Sequence, residues 1–442
     1  MKLIQFAATV AMLTTGCVIG EDAEPRTNTE VDPQASLAPP GTTNVVTTWA
    51  GIAADVIVRP TEAEPPALRT PGYSSMLMAQ VQLAVYDTMV ALREDSYEFF
   101  SYHTYCAGSA NREAAVATTA YRILKTRQPG RAAFLDAQYA TTLGAIPNGH
   151  RKTKGIELGE SVAAHYIALR ANDNLDTAPV WVQPTPGPGV WEPTAATPPA
   201  DYRITFAPPF TFDISQTPSY FPPPPPALTS SEYAFDWTVV RDFGRSNSTV
   251  RTEAQRQLAL WTSENAFRFI ARNLNELAVA NGLSTMKAAR LFAMVWTSCA
   301  DAQQVGASAK FSYNFWRPVH AIQRADTDGN DATVADPTWT ALLNVNNPEY
   351  PSAHGFFSAG AMVGAVRAFF KTDNVPWENT AVGVVGLTET TRTFTTLSQY
   401  ARDIWDGRIL AGLHFDFSME AGIALGERVA NHVTSNFFRH TR

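Results

Sequence analysis

A chain of 442 residues, 45% hydrophobic and 17% charged, fits a globular protein with one large or two fused helical cores. A formal net charge of −7 argues against general nucleic-acid binding. It leaves room for a few cations gathered inside one pocket.

The first residues read as an export signal. Lys2 is the charged start, and Leu3 to Leu13 is mainly apolar but too short to span a membrane as a helix. Gly16-Cys17 resembles a bacterial lipoprotein cleavage site, with Thr14 where leucine is usual; an ordinary cleaved signal peptide is the alternative. The expected location is the periplasm or cell envelope, with a lipid anchor at Cys17. Residues 18–45 are polar and rich in Pro, Thr, Glu and Asp, which makes a flexible tether.

The body then divides into an N-terminal helical half (46–178), a Pro-rich crossing strap (179–250) and a C-terminal helical half (251–442). Helical spacing of apolar residues predicts helices over Ser74–Leu92, Asn111–Arg127, Ala132–Leu143 and Lys154–Asn172. Proline is frequent from Pro179 to Pro226, and no regular helix crosses such a stretch. Its aromatic residues, among them Trp181, Trp191 and Phe221, indicate a strap that packs. Helical pattern resumes over Thr252–Asn281 and Leu283–Ala309, with Lys310 at or just past the end. Arg324–Tyr350 is turn-rich, Ser352–Phe370 is a small-residue helix, and Leu397–Phe437 is mostly helical. Few runs alternate with period two, so the fold class is all-α.

Three clusters between Lys310 and His414 could build one oxyanion site. Lys310 is followed, after six residues, by Arg317-Pro318; next comes Pro351-Ser352-Ala353-His354-Gly355; then Arg408 and, after five residues, His414. Guanidinium groups chelate paired oxygens, an ammonium adds a point charge, and N–H groups at a helix start point at the remaining oxygens. Arg408 and His414 lie about 600° apart on a helix, so they converge only through a bend, which Gly412 permits. Each residue also has a plainer reading when taken singly. The three cations are solvated surface charges, Ser352 is a helix N-cap, and His414 is a core histidine bonded to a carbonyl.

In this order and spacing the clusters resemble the signature of the type 2 phosphatidic acid phosphatase and vanadium haloperoxidase superfamily. Phe315-Trp316-Arg317-Pro318, Glu349-Tyr350-Pro351-Ser352 and Gly412-Leu413-His414-Phe415 are more similar to its soluble haloperoxidase-like branch than to the membrane lipid phosphatases. The Pro-rich crossing, Gly244 and Arg251–Gln255 extend the likeness over nearly all the chain after residue 45. The resemblance implies a pair of four-helix bundles. It implies that Lys310, Arg317, Ser352, the Ala353 N–H and Arg408 hold vanadate, with His414 as the direct ligand of the metal. His354 would be the general acid/base and Lys310 would polarise peroxide, so that catalysis rests on His354, His414 and Lys310. The implied reaction oxidises a halide with hydrogen peroxide to a hypohalous acid equivalent, with a small organic acceptor as a further partner.

The alternative is an exported acid phosphatase without a cofactor, in which phosphate is the substrate group. His414 would then attack phosphorus and His354 would protonate the leaving oxygen. A non-catalytic oxyanion-binding protein is the third reading, and a homodimer is compatible with all three.

Several residues depart from the family pattern. Ala353 stands where glycine is usual; it keeps the N–H and adds a methyl. Gly407 replaces a common serine. Ser418 stands where many members have an aspartate that orients the histidine, and Asp416 is the only nearby carboxylate on that side. Asn347 lies where characterised haloperoxidases have an aromatic residue or histidine associated with halide selectivity. Asp301 is either a partner of a site cation or an ordinary helix carboxylate. Asp326–Asp331 is a turn that superficially resembles a calcium loop but has Pro337 at its twelfth position. Cys106 and Cys299 read as two separate buried thiols, although an oxidising compartment would permit a disulfide.

Overall fold

A computed structural model describes residues 43–58, 71–92, 97–104, 109–174, 178–194, 199 and 201–441. These all fall within one compact unit, residues 38–442. The export signal, Cys17, the tether up to residue 42, and Cys106 lie outside the described residues.

The regular structure of the described residues is helical apart from one small hairpin. Helices α1 (Val45–Val58), α2 (Pro71–Ala91), α3 (Arg112–Arg127), α4 (Ala132–Gly144) and α5 (His150–Leu169) come first. Helix α3 packs against each of the other four. After the strap come α6 (Ser231–Phe243), α7 (Glu253–Trp261), α8 (Ala266–Ala280) and α9 (Thr285–Tyr313). The remainder is α10 (Pro318–Gln323), a π-helical segment (Gly355–Met362), α11 (Val363–Phe370), α12 (Leu397–Leu410) and α13 (Asp416–Asn436). Strands β1 (Trp377–Thr380) and β2 (Thr391–Phe394) pair antiparallel between α11 and α12.

Polar residues set the helix starts. Asn111, Ser230, Asn265 and Ser284 cap α3, α6, α8 and α9 with their side-chain oxygens. Thr252 with Gln255, and Thr396 with Gln399, form capping boxes on α7 and α12. Helix α9 is buried over nearly its whole length and packs on α1, α2, α11, α13 and the π segment, so it is the axis of the core. It ends where Asn314 turns left-handed at φ 44°.

The π segment lies on α13 through facing glycines. A Cβ on Gly426 would meet the Phe356 carbonyl at 2.2 Å, and one on Gly422 the Ser352 carbonyl at 2.6 Å. Gly306 of α9 leaves room for the Phe356 ring, which lies 2.2 Å from where its Cβ would be. The segment that begins at Ser352 is thereby held between two helices.

Several expectations are corrected. Within the 179–250 strap, α6 fills 231–243, past Pro226, where nothing prevents a capped helix. Thr252–Asn281 is two helices, broken at residues 262–265. Lys310 is inside α9, not at or past its end. The 353–370 helix is π-wound over its first half, and the β1–β2 hairpin has no counterpart in the predicted elements. Asp301 does not pair with a site cation. Its carboxylate accepts from the backbone N–H of Phe210 (2.7 Å) and Thr211 (3.1 Å), so it ties the strap to α9. Residues 326–331 are a turn in which Asp328 accepts from Asn330 N and Thr333 Oγ1. Cys299 is a buried free thiol 3.6 Å from the Phe357 carbonyl.

Candidate active site

Between α12 and α13, Gly412 adopts φ 75°, a conformation that favours glycine. This break lets Arg408, in the last turn of α12, and His414, just before α13, converge on one cavity. The cavity holds about 430 Å³ and is lined by Arg317, Ala353, His354, Arg408 and His414, among others. Phe267, Phe357, Leu343 and Val345 add apolar wall, and Gln303, Asn344, Asn346 and Asn347 add amides. Lys310 and Ser352 stand behind this wall. The Lys310 ammonium donates to the carbonyls of Pro348 (2.8 Å) and Glu349 (2.9 Å), which uses two of its three N–H groups. Ser352 Oγ accepts from Gly355 N at 3.2 Å.

Arg317 is the most heavily bonded cation. Its guanidinium donates to the carbonyls of Asn347 (2.8 Å), Leu413 (2.7 Å) and Pro348 (3.1 Å) and to Asn347 Oδ1. It also lies 3.2 Å from His414 Nε2. A guanidinium can only donate, so Nε2 accepts and the ring proton sits on Nδ1. Nδ1 in turn donates to Glu349 Oε1 at 2.8 Å. The same oxygen accepts from Phe415 N at 3.1 Å. His414 is 1% exposed, and Glu349 is fully buried.

Glu349 received no role from the sequence, although it lies within the quoted Glu349–Ser352 run. Asp416, the carboxylate nearest in sequence, accepts from Trp405 Nε1 at 2.6 Å instead. Thr262 was also missed. Its carbonyl accepts from Arg408 at 3.0 Å, and its backbone also hydrogen-bonds the His354 ring. A side chain at Gly407 would meet Thr262 Cγ2 at 2.4 Å, so the threonine leaves no room for serine there. Trp316 is buried and packs, with Arg324 over its ring at 5.9 Å.

The electrostatics mark the site as short of negative charge. Burial pushes Arg317 down to about 10, and burial with Arg317 nearby pushes Arg408 down to about 9. Burial and then Arg317 push Lys310 well below its ordinary value. His354 and His414 are both held well below 6.5, first by burial and then by the neighbouring cations. Burial raises Glu349 to about 7, against the pull of Arg317 and Lys310. His354 Nε2 and Arg408 Nε are buried with no hydrogen-bond partner, and both residues line the cavity. The unpaired Arg408 N–H beside clustered cations suits a tetrahedral or trigonal-bipyramidal oxyanion, and the open His354 Nε2 suits a proton carried by that anion, so the site fits vanadate or phosphate.

Known proteins share the fold around this cavity. Residues 290–442 match the family model described as the VCPO second helical-bundle domain. A 102-residue stretch is 31% identical to vanadium chloroperoxidase from Curvularia inaequalis; it covers 21% of this chain and only 16% of that relative. A bacterial vanadium-dependent iodoperoxidase superposes with a TM-score of 0.75 at 20% identity, over 91% of this chain and 100% of its own. The holo form of a bacterial vanadium-dependent chloroperoxidase gives a TM-score of 0.69 at 16% identity, over 90% and 98%. At these identities the two structures speak for the fold. Residues 290–442 thus resemble the second helical-bundle domain of the vanadium chloroperoxidase family, and the chain shares the fold of the bacterial vanadium-dependent haloperoxidases.

Proposed function

We propose that this chain is an exported vanadate-dependent haloperoxidase that oxidises a halide with hydrogen peroxide to a hypohalous acid equivalent. The observation that supports the reading is the set of buried cations and orphaned nitrogens on one cavity wall. Arg317, Arg408 and Lys310 would neutralise vanadate, with the Ala353 N–H and the Ser352 hydroxyl as further donors. His414 Nε2 would be the ligand, giving up the Arg317 N–H that it accepts here. When bound, vanadium(V) would activate hydrogen peroxide toward attack by halide.

The chain's own residues handle charge and protons. His354, kept neutral by burial and Arg408, is a base at neutral pH and would take the proton of incoming peroxide. The Lys310 ammonium, held on the Pro348 and Glu349 carbonyls, would add positive charge from behind the cavity wall. A cavity of about 430 Å³ leaves space for halide and a small organic acceptor. A lipid on Cys17 would hold the enzyme at the cell envelope.

The carboxylate on His414 favours a second reading, an acid phosphatase, because it would equally orient a nucleophilic imidazole. The two readings separate in one assay series on chelated protein. The first expects peroxide-dependent bromination of a dye, restored only by vanadate and absent in His414→Ala. Inactivity with both bromide and iodide would sink it, and turnover of a phosphomonoester inhibited by vanadate would select the second.

A further inference from the structure

We infer that Glu349 is the carboxylate that positions His414, and that it does from the Pro348–Pro351 segment what an aspartate in place of Ser418 would do from α13. Ser418 lies one helical turn past His414, and its Oγ is 3.5 Å from His414 Nδ1. Ser418 therefore faces the Nδ1 edge of the ring, but it carries no charge. Glu349 Oε1 reaches the same nitrogen at 2.8 Å. The two positions are adjacent, since Ser418 Oγ also donates to the Glu349 carbonyl at 3.4 Å.

Three contacts make Glu349 a fixed partner. Phe415 N donates to the same carboxylate oxygen. The Glu349 N–H donates to the Phe315 carbonyl at 2.9 Å, and its carbonyl holds Lys310 Nζ. A carboxylate anchored this way holds the Nδ1–H tautomer, so Nε2 presents its lone pair on the Arg317 side of the ring, where the anion would bind. Glu349 touches no reacting atom in this arrangement; it is a positioning residue. The inference rests on the oxyanion-site reading but holds for vanadate and phosphate alike.

Moving the carboxylate tests it. Wild type, Glu349→Gln, Glu349→Ala and the double variant Glu349→Ala/Ser418→Asp are compared for folding by circular dichroism. The His414 Nδ1–H resonance is followed by NMR, and orthovanadate and inorganic phosphate binding by calorimetry. In Glu349→Ala the downfield Nδ1–H signal is lost and anion affinity falls about 10–100-fold. The double variant regains the signal and at least about tenfold of the affinity, because the introduced carboxylate reaches Nδ1 from the serine's place. Glu349→Gln keeps the shape and lies between; it serves if the alanine variant does not fold. A folded Gln or Ala variant with wild-type signal and affinity overturns the inference. So does a folded double variant that regains neither. If wild type binds neither anion while the Nδ1–H signal still follows the carboxylate, the oxyanion reading fails and the positioning of His414 stands.

Discussion

At Arg317 one side chain serves three backbone carbonyls, the Asn347 amide and His414 Nε2. An ammonium cannot reproduce that planar fork. Arg317→Lys should therefore lower oxyanion affinity at least about tenfold, measured by calorimetry with phosphate, and should leave His414 less ordered. Unchanged affinity would show that Arg317 supports the segment without serving the anion. Lys310, Arg317, Ser352, His354, Arg408 and His414 could be named as candidates because side-chain type and interval suggest their chemistry, and of them Arg317, His354, Arg408 and His414 meet on one cavity. Glu349 was not, because a contact across 65 residues has no local pattern. Thr262 contributes through its backbone, which every residue type shares. The aspartate missing at Ser418 was the one available hint that a carboxylate had to come from elsewhere.

Helices α12 and α13 reach the site only through the Gly412 turn, and α12 is placed by the contact of Gly407 with Thr262. Gly407→Ser should cost about 1–3 kcal/mol of stability, since overpacking a closed contact forces neighbours to move. Thr262→Ala should recover most of that loss in a double-mutant cycle read by urea denaturation. Additive effects would contradict the steric account. The long helices were readable from apolar spacing, as with α9 and the regions of α3 and α4. The π winding of 355–362 was not, because it answers to the facing glycines of α13 and to Gly306. The hairpin was hidden for a similar reason. Only Trp377 and Asn379 of β1 and Phe394 of β2 are buried, too little alternation to register as strands.

Across the whole molecule, strap, core axis and site are joined by buried polar groups, and these make stability depend on pH. His320 is pushed down to about 4 by burial and then by Arg324. Above its unfolded value of about 6.5, neither state binds the proton and His320 contributes nothing. As pH falls from about 6.5 toward 4, the unfolded chain is protonated and the folded one is not, so stability is lost. His354 and His414, also depressed, act in the same direction. Asp301 and Asp236, raised to about 6 by burial, and Glu349, raised to about 7, oppose them: their folded forms take up a proton first as pH falls. Between pH 7 and pH 4.5, His320→Gln should lose less urea stability, or gain more, than wild type. An equal change in that variant would exclude His320 as a cause. The all-α class and the packed strap could be read from composition and proline, whereas its anchoring by Asp301 depends on contacts 90 residues apart. Everything converges on one claim, that Arg317, Arg408, Lys310 and His414 form an oxyanion pocket. Its most direct test is calorimetric titration of chelated protein with orthovanadate, in wild type and His414→Ala. The account predicts one site per chain, competed by phosphate and weakened at least about tenfold in the variant. Absence of binding in wild type, or binding of equal strength in both proteins, would contradict it.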